Sequence, residues 1–278
     1  MKITLGHSPD PDDAFMFYAI SQNKIDLRGY EFEHILQDIQ TLNERAQRCE
    51  LDITAVSIHA YAYLTEHYAL LNCGASMGDN YGPMLVGSRA YTREELKKVR
   101  IAVPGKRTSA FLALQLFLGV PDAQLNTVVV PFDQIFSALH QKKTDVGLLI
   151  HEGQITYEEE GFVLSEDLGR WWYQLTGGLP LPLGGNIIRR SLGEKVMKNL
   201  SEILHESIVY GLEHRKAGVQ HSMPLGRGLD EARTDQFIGM YVNELTLDYG
   251  ERGRAGVREF LQQGTLAGIV PDVKVEFI

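Results

Sequence analysis

The run VGLLIHEGQ, residues 146–154, carries a strand's worth of apolar side chains straight into His151, Glu152 and a glycine. Burying such polar groups without partners is costly, so the pair must be either satisfied or turned toward a ligand. A neutral imidazole takes up a proton near pH 7, which makes His151 the candidate general base; a hydrogen-bonded core histidine is the competing reading. Glu152 reads as a helper of the ring or as facing away, because adjacent strand residues point to opposite faces. Three other places set small polar residues between an apolar strand and a helical pattern: SPDPDDAF from Ser8, AVSIHAY with Ser57, and PGKRTSAF with Thr108 and Ser109. In the first, Asp12 or Asp13 reads as the helix cap. Helix N-termini expose unpaired N–H groups and the positive end of the dipole, which suits a carboxylate or phosphate. Any one such turn is more often an ordinary cap than a binding site. Ser8, Asp13, Ser57, Thr108 and Ser109 are therefore candidate substrate contacts as a set.

Other chemistries fit the residues less well. GKRTS lacks the GxxxxGK[ST] order of a phosphate loop, which excludes nucleotide hydrolysis of that kind. His7, Asp10, Asp12 and Asp13 lie close together, but no HExxH or Cys/His spacing supports a metal, and none is expected. A Ser57–His151–carboxylate triad has no GxSxG elbow behind it. Trp171 and Trp172, read as neighbours on a strand, would face opposite sides, one toward a cleft and one into the core.

The elements that must position these groups alternate along the chain. KITLGH, YEFEHILQ, LDITAVS, MLVGS, RIAVPG, TVVVPF and DVGLLIHE read as strands, with amphipathic helical segments between them. That alternation predicts an α/β fold with largely parallel sheets, whose ligands bind at the carboxyl ends of the strands. All four candidate turns then lie on one rim. Two α/β blocks are expected: residues 1–88 with 190–278 as one lobe, and 89–189 as the other, with a cleft between them. The last third is helical and has no sheet of its own, so it should pack on the first lobe.

The 278 residues are 44% hydrophobic and 23% charged, enough for two lobes with cores of their own. The formal net charge of −9 and the absence of a basic stripe exclude a nucleic-acid or anionic-membrane binder. Cys49 and Cys73 stand alone, which is simplest in a reducing compartment. MKITLGHSPDPDD has no apolar signal region and no stretch has membrane-spanning length, so a cytoplasmic protein is expected.

On these residues the chain resembles the 1,4-dihydroxy-6-naphthoate synthase family of menaquinone biosynthesis. The similarity runs nearly end to end, through GHSPDPDDAFMFYA, AVSIHAYA, VPGKRTSAFLAL, GLLIHEGQITY, DLGRWWYQLTGGLPLPLGGNIIRR and YVNELTLDYGERG. The histidine–glutamate pair and the WW…TG…LPLPLG run are its specific parts. The resemblance implies two lobes of the type II periplasmic-binding-protein kind with the active site between them. It implies a lyase that cleaves cyclic dehypoxanthine futalosine without a cofactor, with His151 as the base and Ser57, Thr108 and Ser109 in the pocket. The commoner family loop reads SPCPNDTF. Here Asp10, Asp12 and Ala14 replace a cysteine, an asparagine and a threonine, removing an amide donor and adding carboxylates where an anion would approach. Chorismate dehydratase, of the same fold, is the nearest alternative; a non-catalytic small-carboxylate-binding protein is the alternative from another class.

Overall fold

In the computed structural model, which describes residues 1–278, the first stretch of chain builds one sheet and the helices on it. Its elements are β1 (Lys2–His7), α1 (Pro11–Met16), α2 (Tyr18–Ser21), β2 (Glu31–Leu36), α3 (Ile39–Gln47), β3 (Ile53–Ser57), α4 (Ile58–Tyr61), β4 (Tyr68–Leu70) and β5 (Ser76–Gly78). The second stretch gives β6 (Met84–Gly87), α5 (Arg93–Leu96), β7 (Ile101–Val103), α6 (Ser109–Leu118), β8 (Thr127–Val129), α7 (Ile135–His140), β9 (Val146–Leu149), α8 (Gly153–Thr156), β10 (Val163–Asp167) and α9 (Leu168–Thr176). The chain then returns through β11 (Leu181–Arg189) to α10 (Glu194–Glu213), α11 (Arg215–Ser222), α12 (Glu231–Tyr241), α13 (Glu244–Leu247) and α14 (Gly250–Leu266).

The sheets run β2-β1-β3-β11-β4, with β5 also on β11, and β10-β6-β9-β7-β8. Each has a parallel half, β2-β1-β3 and β8-β7-β9, made by the strand–helix units legible in the sequence. β3, buried at every position, and β7 are short apolar runs because helices cover both faces of a parallel sheet. The expectation of largely parallel sheets holds only for those halves. β11 pairs antiparallel with β3, β4 and β5, and β6 pairs antiparallel with β9 and β10.

Those antiparallel strands also shift the lobes. β6 had been expected at the end of the first lobe, but it pairs within the second sheet; β11, expected in the second, pairs within the first. The chain therefore crosses between sheets just before each of these strands. The first crossing is held against the start of α9: Leu168 N–H donates to Pro83 O at 2.9 Å. Gly169 has no room for a side chain there, since a Cβ would stand 1.9 Å from Tyr81 O.

The C-terminal helices pack mainly as expected. α10 turns Met197, Leu200, Ile203, Leu204 and Ile208 inward at three- and four-residue spacing and closes over α1 and α2. α14 differs, lying against β11, α4 and α6, so that Phe260 meets Trp172 edge-on at 5.4 Å. Trp171 and Trp172 sit on helix α9, not on a strand, and neither reaches the cleft. Trp172 is fully buried and its indole N–H donates to Pro180 O, while Trp171 packs on Phe117.

Candidate active site

The carboxyl ends of β1, β3 and β9 and the turn after β7 converge on a cavity of about 110 Å³ between the two sheets. One water needs roughly 10–15 Å³ on this measure, so the space suits an organic ligand better than a single structural water. Ser8, Asp13, Ser57, Thr108 and Ser109, the five expected substrate contacts, all stand in its wall. They come from three separate turns, and each is at most 7% exposed.

The β7–α6 turn supplies donors. Thr108 is the N-cap of α6: its hydroxyl accepts from Phe111 N–H at 3.2 Å and donates to Gly105 O at 2.8 Å. Ser109 accepts from His59 N–H at 3.2 Å and donates to Leu183 O. Both hydroxyls are thus engaged within the fold, each donating one bond and accepting one. The Ser109 and Ala110 N–H groups find no backbone acceptor, and both residues line the cavity. Open amides at the start of a ten-residue helix make an anion site. His59 braces this entrance through a bond between Nδ1 and Thr108 O, and burial pushes its pKa down to about 4, so the brace is neutral.

Ser57 is better placed for direct contact. Asn43, on α3, donates from Nδ2 to Ser57 Oγ at 3.1 Å and accepts the Ser57 N–H at 2.9 Å. With its oxygen already accepting, the hydroxyl is free to give its own proton into the cavity. Asn43 had no local signature in the sequence; only the packing of α3 on β3 reveals it.

The β1–α1 turn supplies acid. Asp10, not Asp12 or Asp13, is the N-cap of α1, and Pro11 opens the helix. Asp12 and Asp13 fall in its first turn and face the cavity. Ser8 N–H donates to Asp13 Oδ2 at 2.6 Å. Burial pushes Asp13 up to about 7, with the Ser8 amide pulling the other way. Asp12 is raised well above the usual carboxylate range, by burial first and then by the charges of Asp13 and Asp10. His7 turns away from these acids, toward Ser8 O and His34, and no three His, Cys, Asp or Glu residues gather as a metal site.

His151 is placed differently from the expectation. β9 ends at Leu149, Ile150 lines the cavity, and His151 stands behind it, 7% exposed. Its Nε2 lies 2.7 Å from Phe132 O, and Gly153 N–H donates to Nδ1 at 3.0 Å. The fitting tautomer carries its proton on Nε2 and has its one lone pair occupied. A base role for His151 requires the Gly153 bond to open. No contact joins it to Ser57, whose partner is Asn43, so the triad does not form. Glu152 turns instead to Arg227, with both carboxylate oxygens 2.9 Å from one guanidinium nitrogen, and Arg227 also holds Asp10 at 2.7 Å. One arginine from beyond α11 thereby ties the β1–α1 turn to the opposite lobe.

Comparison with known proteins follows this layout. The family described as "Menaquinone biosynthesis" matches residues 3–265. Proteins named 1,4-dihydroxy-6-naphtoate synthase from Streptomyces coelicolor and Thermus thermophilus are each 34% identical, over 97% and 96% of this chain and 95% of theirs. This chain belongs to the menaquinone-biosynthesis family. A crystal structure of a protein from Archaeoglobus fulgidus is 41% identical to this family member, with a TM-score of 0.91 over 97% of this chain and 98% of that one. A Candida albicans protein described as having the generic periplasmic-binding-protein fold superposes with a TM-score of 0.70 at 14% identity, over 99% and 92% of the chains. The fold class is that two-lobed α/β architecture, as expected.

Proposed function

We propose that the protein is a 1,4-dihydroxy-6-naphthoate synthase, a lyase that cleaves cyclic dehypoxanthine futalosine to release the sugar remnant and 1,4-dihydroxy-6-naphthoate. The observation that carries this reading is the meeting, in one cavity wall, of open α6 amides, the free Ser57 proton and a carboxylate poised near neutral pH. The amides take the substrate carboxylate, and Ser57 donates to a second oxygen. Asp13 is the group in the wall best matched to accept a proton at pH 7, since a general base works best with a pKa near the working pH. Aromatisation of the product supplies driving force, so binding, orientation and one proton transfer are the enzyme's main tasks. The relatives' name supports the reaction, and the end-to-end match supports carrying it to this chain.

A cytoplasmic setting fits two free cysteines, one of them buried, and no helix is long and apolar enough to cross a membrane. The test is turnover of purified protein with cyclic dehypoxanthine futalosine and, separately, with chorismate. Formation of 1,4-dihydroxy-6-naphthoate from the first alone is expected. Turnover of chorismate instead would transfer the site to the dehydratase reaction. Tight binding of either compound without product would make the protein a carboxylate-binding module.

A further inference from the structure

Asp12 is only 9% exposed and stands in the cavity wall. No side chain donates to its carboxyl group; only the amides of Asp12 and Asp13, at the opening of α1, lean toward it. The cation in this corner, Arg227, is spent on Asp10 and Glu152. Asp13 has what Asp12 lacks, a donor from outside the helix at 2.6 Å. Two neighbouring buried carboxyls do not both ionise at modest cost. The one with the extra hydrogen bond ionises first, and its charge then holds the proton on the other.

The surroundings do not reverse that order. On its own helix Asp12 faces Asp10 and Asp13; from α12 comes the Tyr241 hydroxyl, which donates to Gln154. From α11, Arg215 lies over the Phe15 ring and His221 against Tyr18 and Ser21, both engaged away from the cavity. From the far lobe, Glu152 is neutralised by Arg227. α10 closes on α1 through apolar residues and Ser207, whose hydroxyl donates to Met16 O.

We propose that Asp12 serves as a neutral carboxylic acid that donates a hydrogen bond to an oxygen of the bound substrate and so determines which ligands the cavity accepts. An ionised Asp12 would repel a carboxylate substrate, whereas its O–H is a donor in the wall facing the α6 amides. The proton stays on Asp12 throughout, so this residue binds and selects while Asp13 accepts the proton. The inference rests on the function proposed above, because that substrate is the oxygen-rich anion in need of a donor.

The variants Asp12→Asn and Asp12→Ala separate donor from charge. The amide of Asp12→Asn keeps a donor of similar shape, so KM with cyclic dehypoxanthine futalosine should stay near wild type. Asp12→Ala should raise KM roughly ten- to hundredfold with a smaller change in kcat, the signature of lost uniform binding. The wild-type KM should climb at alkaline pH as Asp12 loses its proton, and that of Asp12→Asn should not. An infrared spectrum of the ligand-free protein, taken just above the Asp13 transition at about 7, reads the proton without substrate. The carbonyl stretch of a protonated acid should be present in wild type and missing from Asp12→Asn. An absent band, or a KM raised in Asp12→Asn as far as in Asp12→Ala, overturns the proposal. A present band in a protein that turns over nothing fails the proposed function and leaves the neutral acid standing.

Discussion

Replacing His151 separates a corner-post from a catalyst. The ring, 7% exposed, accepts the Gly153 N–H at 3.0 Å, bonds Phe132 O at 2.7 Å, and meets the Phe132 and Phe136 rings edge-on. His151→Ala strips a buried N–H of its acceptor, which costs about 1–3 kcal/mol. The Phe132 carbonyl is partly exposed and recovers some of its loss from water, while the vacated ring adds a cavity. The sum is roughly 2–5 kcal/mol, or on the order of 3–9 °C in Tm for a chain of this size. His151→Gln, which keeps one donor and one acceptor, should recover part of the loss. In the folded fraction of either variant, kcat should stay within about tenfold of wild type, well short of the 10²–10⁴ that positioned acid–base catalysis is worth. Melting curves and kcat measured on the same preparations decide it. A His151→Ala protein that melts like wild type yet loses 10²–10⁴ in kcat would refute the reasoning and make His151 the base, reached by opening the Gly153 bond.

Asp13→Asn should lower kcat by roughly 10²–10⁴ and abolish the rise of kcat toward neutral pH that a base titrating at about 7 imposes. Because the folded pKa of Asp13 is raised from 3.8, its contribution is fully present below the unfolded value and lost as pH rises through about 7. Asp13→Asn should therefore gain stability relative to wild type between about pH 4 and pH 8, read by denaturant titration at both ends. Arg227→Ala leaves Glu152 buried and unpaired; with Arg227 itself 29% exposed, the cost should be about 2–4 kcal/mol, somewhat below that of a fully buried pair. Glu152→Gln should cost less, and calorimetric unfolding of both variants checks the order. Thr108→Ala removes the α6 cap and should cost about 1 kcal/mol while raising KM, since the open amides it orders lose their fixed aim; an unchanged KM would put the substrate carboxylate elsewhere.

The parallel half of each sheet and the five residues that the cavity wall brings together were legible because strand-to-helix turns announce themselves locally: an apolar run, a small polar cap, a helical period. The crossings were not. β6 and β11 are apolar strands like their neighbours, and only antiparallel pairing across the sheets assigns them to a lobe. WW read as a strand because two large aromatics favour sheets, yet Asp167 caps α9 by accepting from Gly169 and Arg170 N–H. His151 follows the β9 strand as its sequence suggests, but the way its ring turns depends on Gly153 and on Phe132, nineteen residues away. Asn43 and Arg227 carried no sequence signal, since each acts through a contact made only in the folded chain.

The cavity proposed here to take a carboxylate carries no Lys, Arg or His in its wall, and three aspartates instead. The structure resolves the contradiction by giving each acid a different fate. Asp10 is neutralised by Arg227, Asp13 is stabilised by the Ser8 amide, and Asp12 is left without a partner. Attraction for the anion then falls to dipoles: the open amides of α6 and the Ser57 hydroxyl, both fixed before substrate arrives and so costing little reorganisation. The same arginine that quiets Asp10 reaches Glu152 on the opposite lobe. Charge balance at the cleft and the tie between its two walls therefore rest on one side chain, since Arg227 pairs Asp10 on its own lobe and Glu152 on the other.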